Sequence, residues 1–376
     1  MSGALGQNIS LSAQLSVKVY NHGTLVGSAT VNGDLVMNNF MNWLQGWMVY
    51  ETPSGAASTF VMTDTSGTAR MLYGRDSSST TATCTWACEN TVPPYAGGYI
   101  GVGTGTTAPA RTDSKLGALY PAGETYTQAL VPVQPPTYDP STGNIVFGGA
   151  IIAGGSATIS EAGYFENWYL TGFAVWDTFM MFHDTFAGIA VSAGNTISVQ
   201  YTVQLGSVAY NNNLGILLTA IFANTLGAPS SVKLTATTGA PVSVAVYYVS
   251  PLAAPRVDLG SSATGSDSAI RIGTGSANSG GCPTANPGGF PAARNAIDLC
   301  VPALTYTQVN SFVISPYVAV TSVIPVIAPT TFTEAGYYQS FDSAYSFLLI
   351  RSTFSGSGVA VPADSSLTVT YEMSMG

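Results

Sequence analysis

A chain of 376 residues with 46% hydrophobic side chains has material for one or two cores, yet only 8% of it is charged and its formal net charge is −9, against roughly a quarter charged in ordinary soluble domains. Three lysines and no basic stripe argue against a nucleic-acid partner, because phosphate binding needs clustered Lys and Arg that displace counterions. No apolar run approaches the ~18 residues of a spanning helix: those around 214–222 and 318–327 are too short, and Pro325 breaks the second.

From the N-terminus, MSGALGQNIS lacks the basic start, apolar centre and cleavage site of a secretory signal. Ile9, Leu11, Ala13, Leu15, Val17 and Val19 then alternate with polar or amphipathic neighbours, the period of a strand with one buried face. A strand this long would be an aggregation hazard at a free edge. It is therefore expected to pair with the sheet of a neighbouring subunit by β-strand addition. Asn8-Ile9-Ser10 also forms a glycosylation sequon.

After an Asn32-Gly33-Asp34 turn, Val36, Phe40, Trp43, Leu44 and Trp47 fall on one face of an expected helix. Cys84 and Cys88 stand too far apart on a straight strand to bond, so a disulfide there needs a bend. Gly101, Gly103 and Gly105 in IGVGTG could cradle a phosphate, but that use requires a following helix, and Thr106-Thr107-Ala108-Pro109 follows instead. A turn is expected.

Glu161 lies in TISEAGYF, followed by the aromatic segment Trp168, Tyr169, Phe173, Trp176, Phe179 and Phe182, then by His183-Asp184. Buried packing is expected of the aromatics, with sugar stacking the alternative. Ile197, Val199, Tyr201, Val203 and Leu205 alternate as a closing strand. A second helix is expected from Leu214, Leu217, Leu218, Ile221 and Phe222, after Asn213 and before Gly227. A β-prone run at 243–249 follows. Cys282 and Cys300 bracket a Gly- and Pro-rich loop that a disulfide would restrict, with free thiols the alternative.

Motifs then return in order. IGVGTG at 100, TYTQ at 125, TISEAGYF at 158 and ISVQY at 197 recur as IRIGTG at 270, TYTQ at 305, TFTEAGYY at 331 and LTVTY at 367. Collinear recurrence implies a duplication. The expected fold is mainly β: two tandem β-sandwiches of jelly-roll or immunoglobulin-like type, over 1–205 and 206–376, each with one short amphipathic helix.

Gly103, Gly105, Glu161 and Gly163, with Gly273, Gly275, Glu334 and Gly336 in the second copy, then read as repeat scaffold. Glu161 and Glu334 could serve glycoside hydrolysis only if ~5–10 Å apart, and tandem copies normally separate equivalent residues by a domain width. Each is expected instead to bond the backbone of its glycine turn. With two histidines, His22 and His183, there is little material for a triad or metal site. No catalytic, cofactor-binding or metal-binding residue is expected.

The order of helix, strand ending in GxGT, Pro-containing loop, T-x-[ST]-E-A-G-[YF] and terminal alternating strand resembles a domain of tail, fibre and filament proteins from phages and viruses of hyperthermophilic archaea. That resemblance implies a virion structural subunit, made in the cytoplasm without a signal peptide and exposed on the particle. Its partners would be further copies of itself, head to tail, other virion proteins, and host surface glycans during attachment. A capsid or tail-tube shell protein, a glycan-binding adhesin and an archaeal pilin are the alternatives. The chain departs from hyperthermophile composition in being too poor in charge for ion-pair networks.

Overall fold

A computed structural model of the chain describes residues 3–32, 35–48, 59–73, 97–139, 141–170, 175–205, 212–222, 230–235, 241–246, 268–273, 307–308, 311–314, 317–326, 329–342, 345–354 and 357–375. The chain is mainly β, and every strand pairing but one among the described residues is antiparallel. The first half runs β1 (Gly3–Asn21), β2 (Thr24–Asn32), β3 (Leu35–Val36), α1 (Asn38–Met48), β4 (Thr59–Thr63), β5 (Ala69–Tyr73), β6 (Gly97–Gly103), β7 (Leu119–Tyr120), α2 (Tyr126–Ala129), β8 (Val131–Pro132), β9 (Gln134–Asp139), β10 (Asn144–Ile152), β11 (Ala157–Leu170), β12 (Val175–Val191) and β13 (Thr196–Leu205). The second runs α3 (Asn212–Phe222), β14 (Ser230–Thr235), β15 (Pro241–Val246), β16 (Ser268–Gly273), β17 (Thr307–Gln308), β18 (Ser311–Ile314), β19 (Tyr317–Val326), β20 (Thr330–Phe332), β21 (Glu334–Asp342), β22 (Tyr345–Thr353), β23 (Val359–Val361) and β24 (Ser365–Met375).

The alternation in sequence becomes one wet and one dry face. On β1, Ala13, Leu15, Val17 and Val19 are buried, and β13 buries Ile197, Val199, Tyr201, Val203 and Leu205. Antiparallel register sets Leu15 against Tyr201 and Tyr201 against Phe147 of β10, so the dry rows run straight across three strands. The opposite face carries Gln14, Ser16 and Lys18 on β1, Ser28 and Thr30 on β2, and Ser198, Gln200 and Thr202 on β13. A surface of hydroxyls and amides is thus what keeps this low-charge sheet wetted. The β1–β2 hairpin turns on His22 and Gly23, at φ of 46° and 84°, a two-residue turn whose twist suits antiparallel strands.

An eight-stranded sheet has the order β18-β19-β24-β1-β13-β10-β9 with β2 also on β1, and a six-stranded sheet the order β3-β12-β11-β6-β7 with β8 on β6. Aromatic contacts join the two. Phe147 and Tyr201 of the first sheet stack at 5.7 Å and meet Tyr164 and Phe182 of the second at 4.9 and 5.4 Å. All four are essentially inaccessible to water, and such tilted pairs add about 0.5–1.5 kcal/mol each beyond the burial of their area.

The two longer helices, α1 and α3, are each located by a buried asparagine. Asn39, second in α1, donates to the carbonyls of Thr63 and Met180 and accepts the Thr63 N–H. Asn213, second in α3, donates to the Leu348 carbonyl at 3.0 Å. Val36, expected on the first helix, instead belongs to β3 and pairs with Phe182, because the chain stays tied to β12 through the Met37 N–H to the Met181 carbonyl and turns helical only from Asn38.

Pairings of the second half follow those of the first. Glu161 faces Gly103 across β11 and β6, and Glu334 faces Gly273 across β21 and β16. The hairpin β11–β12 is bulged between Tyr164 and Phe165, and β21–β22 between Tyr337 and Tyr338. The closing strands differ in their neighbours. β13 lies between β1 and β10, whereas β24 lies between β19 and the first half's β1. Among the described residues one core cluster holds Leu15 and Phe182 together with Phe332, Ile350, Leu367 and Val369.

Candidate functional site

Two places carry the residues singled out by sequence. The first is Glu161. Its side chain is 1% exposed, and β11 holds it opposite β6, where Gly103 and the following Gly105 have no Cβ; one built at either position would stand 2.4 Å from the carboxylate. Oε1 accepts the N–H groups of Gly105 and Ala118 at 2.8 and 2.7 Å, and Oε2 accepts the Gly117 N–H at 2.8 Å and His183 Nε2 at 3.0 Å. Four donors fill all four acceptor sites of the carboxylate. The end of β6 and the segment after it close around a carboxylate of the same chain, in place of the expected turn, so Glu161 has no lone pair left for a substrate.

His183 pairs with acids other than its neighbour in sequence. Nδ1 meets Asp113 at 3.1 Å while Nε2 meets Glu161. Asp184 lies on the alternate face, opposite Ala162. With an ionised carboxylate at each nitrogen, both must donate, which is the imidazolium form. Burial alone would push the His183 pKa down; the hydrogen bonds and charges of Glu161 and Asp113 outweigh it and hold the pKa above its ordinary value. Burial likewise pushes the Glu161 carboxyl up, but His183 and the three N–H donors bring it below the usual range.

These bonds pin residues 104–118 to the sheet. The Leu116 N–H adds a bond to the Tyr126 hydroxyl, which gives TYTQ a purpose: Tyr126 anchors the loop and packs on Phe165 at 5.3 Å, while Gln128 accepts the Thr125 N–H. Burial is the main cause that pushes the Tyr126 phenol up to about 12. In the second half Glu334 is fully buried, Gly336 faces Arg351 as Gly163 faces His183, and Gly273 ends β16. Gly275 lies outside the described residues, as do Cys84, Cys88, Cys282, Cys300 and Gly227.

Sequence reasoning passed over one further cluster. Arg70 of β5 bonds Asp177 of β12 at 2.6 Å and Asp64 at 3.3 Å, tying the β4–β5 hairpin to the six-stranded sheet. Among the aromatics, Phe179 and Phe182 are core residues with no exposed surface. The side chains of Trp168, Tyr169 and Trp176, and all of Phe173, lie outside the described set. No group of three or more His, Cys, Asp or Glu suited to a metal occurs among the described residues, and no described helix is long and apolar enough to cross a membrane.

The second place is β1 itself, which holds Ile9, Leu11, Leu15, Val17 and Val19 of the expected assembly strand. From Leu11 to Tyr20 the strand pairs with β13, from Gln14 onward it also pairs with β2 on its other side, and Leu15, Val17 and Val19 are wholly buried. That part is core and no edge. Ahead of it, Gly3–Leu11 runs on past the first-half strands and pairs in parallel with Leu367–Met375 of β24, Ile9 opposite Met373 and Leu11 opposite Met375. Leu11 is the pivot, paired with Leu205 in one ladder and Met375 in the other.

Comparison with protein-family models, curated proteins and solved structures gives no match, so function must be read from the chain's own geometry.

Proposed function

We propose that this chain is a structural subunit of a virus particle, built from two tandem copies of one β-sandwich unit and polymerising head to tail through its N-terminal strand. The observation that carries the reading is the arm Gly3–Ser10, which projects beyond the β13 ladder of its own half and is held by the closing strand of the other. Strand addition of this kind draws affinity from main-chain bonds, and a contact joining one end of a subunit to the other end of the next propagates as a filament when it does not close into a ring.

Several features support it. The duplication is supported by paired glutamates opposite glycines, bulges at matching positions and a buried asparagine opening each helix. A structural role is supported by the use of the most reactive-looking groups, Glu161 and His183, as internal fastenings. The wetted face of Ser, Thr and Gln suits a subunit whose surface is largely covered by its neighbours.

Negative-stain electron microscopy of the purified chain tests the reading. Uniform filaments or fibres are expected. Closed shells or tubes would favour the capsid or tail-tube alternative, and dispersed particles that bind a glycan array would favour an adhesin.

A further inference from the structure

The arm and its cradle belong to every copy of the chain, and the observations bear on how they are used between copies. The pairing of Gly3–Leu11 with β24 is the one parallel ladder among the described residues. Parallel pairing is slightly less stable per residue than antiparallel. β13, the closing strand of the first half, takes its partner from within that half, in antiparallel register from Leu11 to Tyr20. β24, the closing strand of the second half, has its own half's β19 on one side and a segment of the first half on the other. The first described element of the second half is α3, so among the described residues that half supplies nothing corresponding to β1. Its sheet is completed by the arm.

We infer that the edge of β24 is an acceptor groove for the Gly3–Leu11 arm of a second copy, and that the arm of the free subunit caps its own groove until that exchange. The inference rests on the reading of the arm as the assembly element and adds the acceptor, the register and the mechanism. Exchange replaces each bond from Gly3–Leu367 to Leu11–Met375 by the same bond in trans, as in domain swapping. Among the described side chains the buried residues of β1 begin at Ala13, so release at the Leu11 pivot leaves that described core in place. The balance between capped monomer and polymer is set by the effective concentration of the tethered arm against the concentration of subunits. In the capped form the β24 edge is covered, which protects the subunit from indiscriminate strand pairing.

Mixing light Ser10→Cys chain with ¹⁵N-labelled Ser374→Cys chain, positions that face each other in the ladder, and treating the mixture with a short bismaleimide tests the exchange. Mass spectrometry then reads which chain contributes each cross-linked peptide, so the native cysteines do not confuse the result. Peptides joining light residue 10 to heavy residue 374 are expected in concentrated or assembled protein and should vanish on dilution. Filaments without hybrid peptides overturn the exchange while leaving a filament subunit. Hybrid peptides without filaments keep the exchange and overturn the filament.

A labelled peptide of residues 1–12 gives a second reading that needs no cysteine variant in the acceptor. It should bind a chain lacking residues 1–10 at least about tenfold tighter than the full chain, whose own arm competes at high effective concentration. Equal binding to both, or to neither, contradicts an acceptor groove at β24.

Discussion

The two closing strands, β13 and β24, share an alternating apolar pattern and the same kind of antiparallel partner, β10 for one and β19 for the other. They differ on their remaining side. β13 is completed by the core segment of β1, and β24 by the arm of that same strand. One strand thus serves two sheet positions: its second half is held by buried Leu15, Val17 and Val19 and by the ladders to β13 and β2, and its first half by the ladder to β24. The difference teaches that a 19-residue strand need not act as one element. Its pattern of pairing decides which part can leave.

Truncation breaks that comparison most severely. Removing residues 1–20 deletes three fully buried aliphatics worth about 1.5–3 kcal/mol each, a large part of a typical domain's stability of ~5–15 kcal/mol. The product should fail to fold, as read by circular dichroism and thermal unfolding. Removing 1–10 should leave the melting temperature within a few degrees of the full chain, the shift expected from less than about 1 kcal/mol. Equal damage from both truncations would refute the division at Leu11.

Glu161 offers the next largest effect. Glu161→Ala strands three backbone N–H donors and the buried His183, and should cost about 3–5 kcal/mol in denaturant unfolding. Gly105→Ala acts on the same bond from the other side, since the new methyl falls on Glu161 Oε1. A loss of about 1–3 kcal/mol is expected. If Gly105→Ala were neutral, the explanation of the GxG motif as room for the carboxylate would fail.

The smallest effect is electrostatic and contrasts the two halves. Where His183 faces Gly163, Arg351 faces Gly336, and buried Glu161 has a titratable partner in His183. His183 has a raised pKa, so its contribution is complete below the ordinary value of 6.5 and is lost as pH rises through the folded value. Glu161 has a lowered pKa, so its contribution is present above the ordinary 4.5 and is lost as pH falls through the folded value. Stability from this pair should be greatest between those limits. His183→Arg should flatten the alkaline side of a pH–stability profile and leave the acid side, and an unchanged alkaline limb would separate His183 from that dependence.

Much of this was legible beforehand because it is periodic or repeated. The dry faces of β13 and β1 follow from alternation, and the expectation that Glu161 bonds its glycine turn follows from two motifs recurring together. The Asn39 bond to Met180 and the Arg70–Asp177 pair were not legible, since single residues 141 and 107 positions apart leave no local pattern. The start of α1 was misread because Val36 suits a helix face and a strand equally well. The arm escaped notice for a related reason: Gly3, Ala4, Leu5, Gly6, Gln7 and Asn8 show no alternation, so nothing in them announces a strand or its parallel partner.

Sedimentation velocity of the full chain and of the chain lacking residues 1–10, over the same concentration series, bears most directly on the arm. The account predicts concentration-dependent polymers from the full chain and a folded monomer at every concentration from the truncated one. Polymers of equal size from both would contradict it.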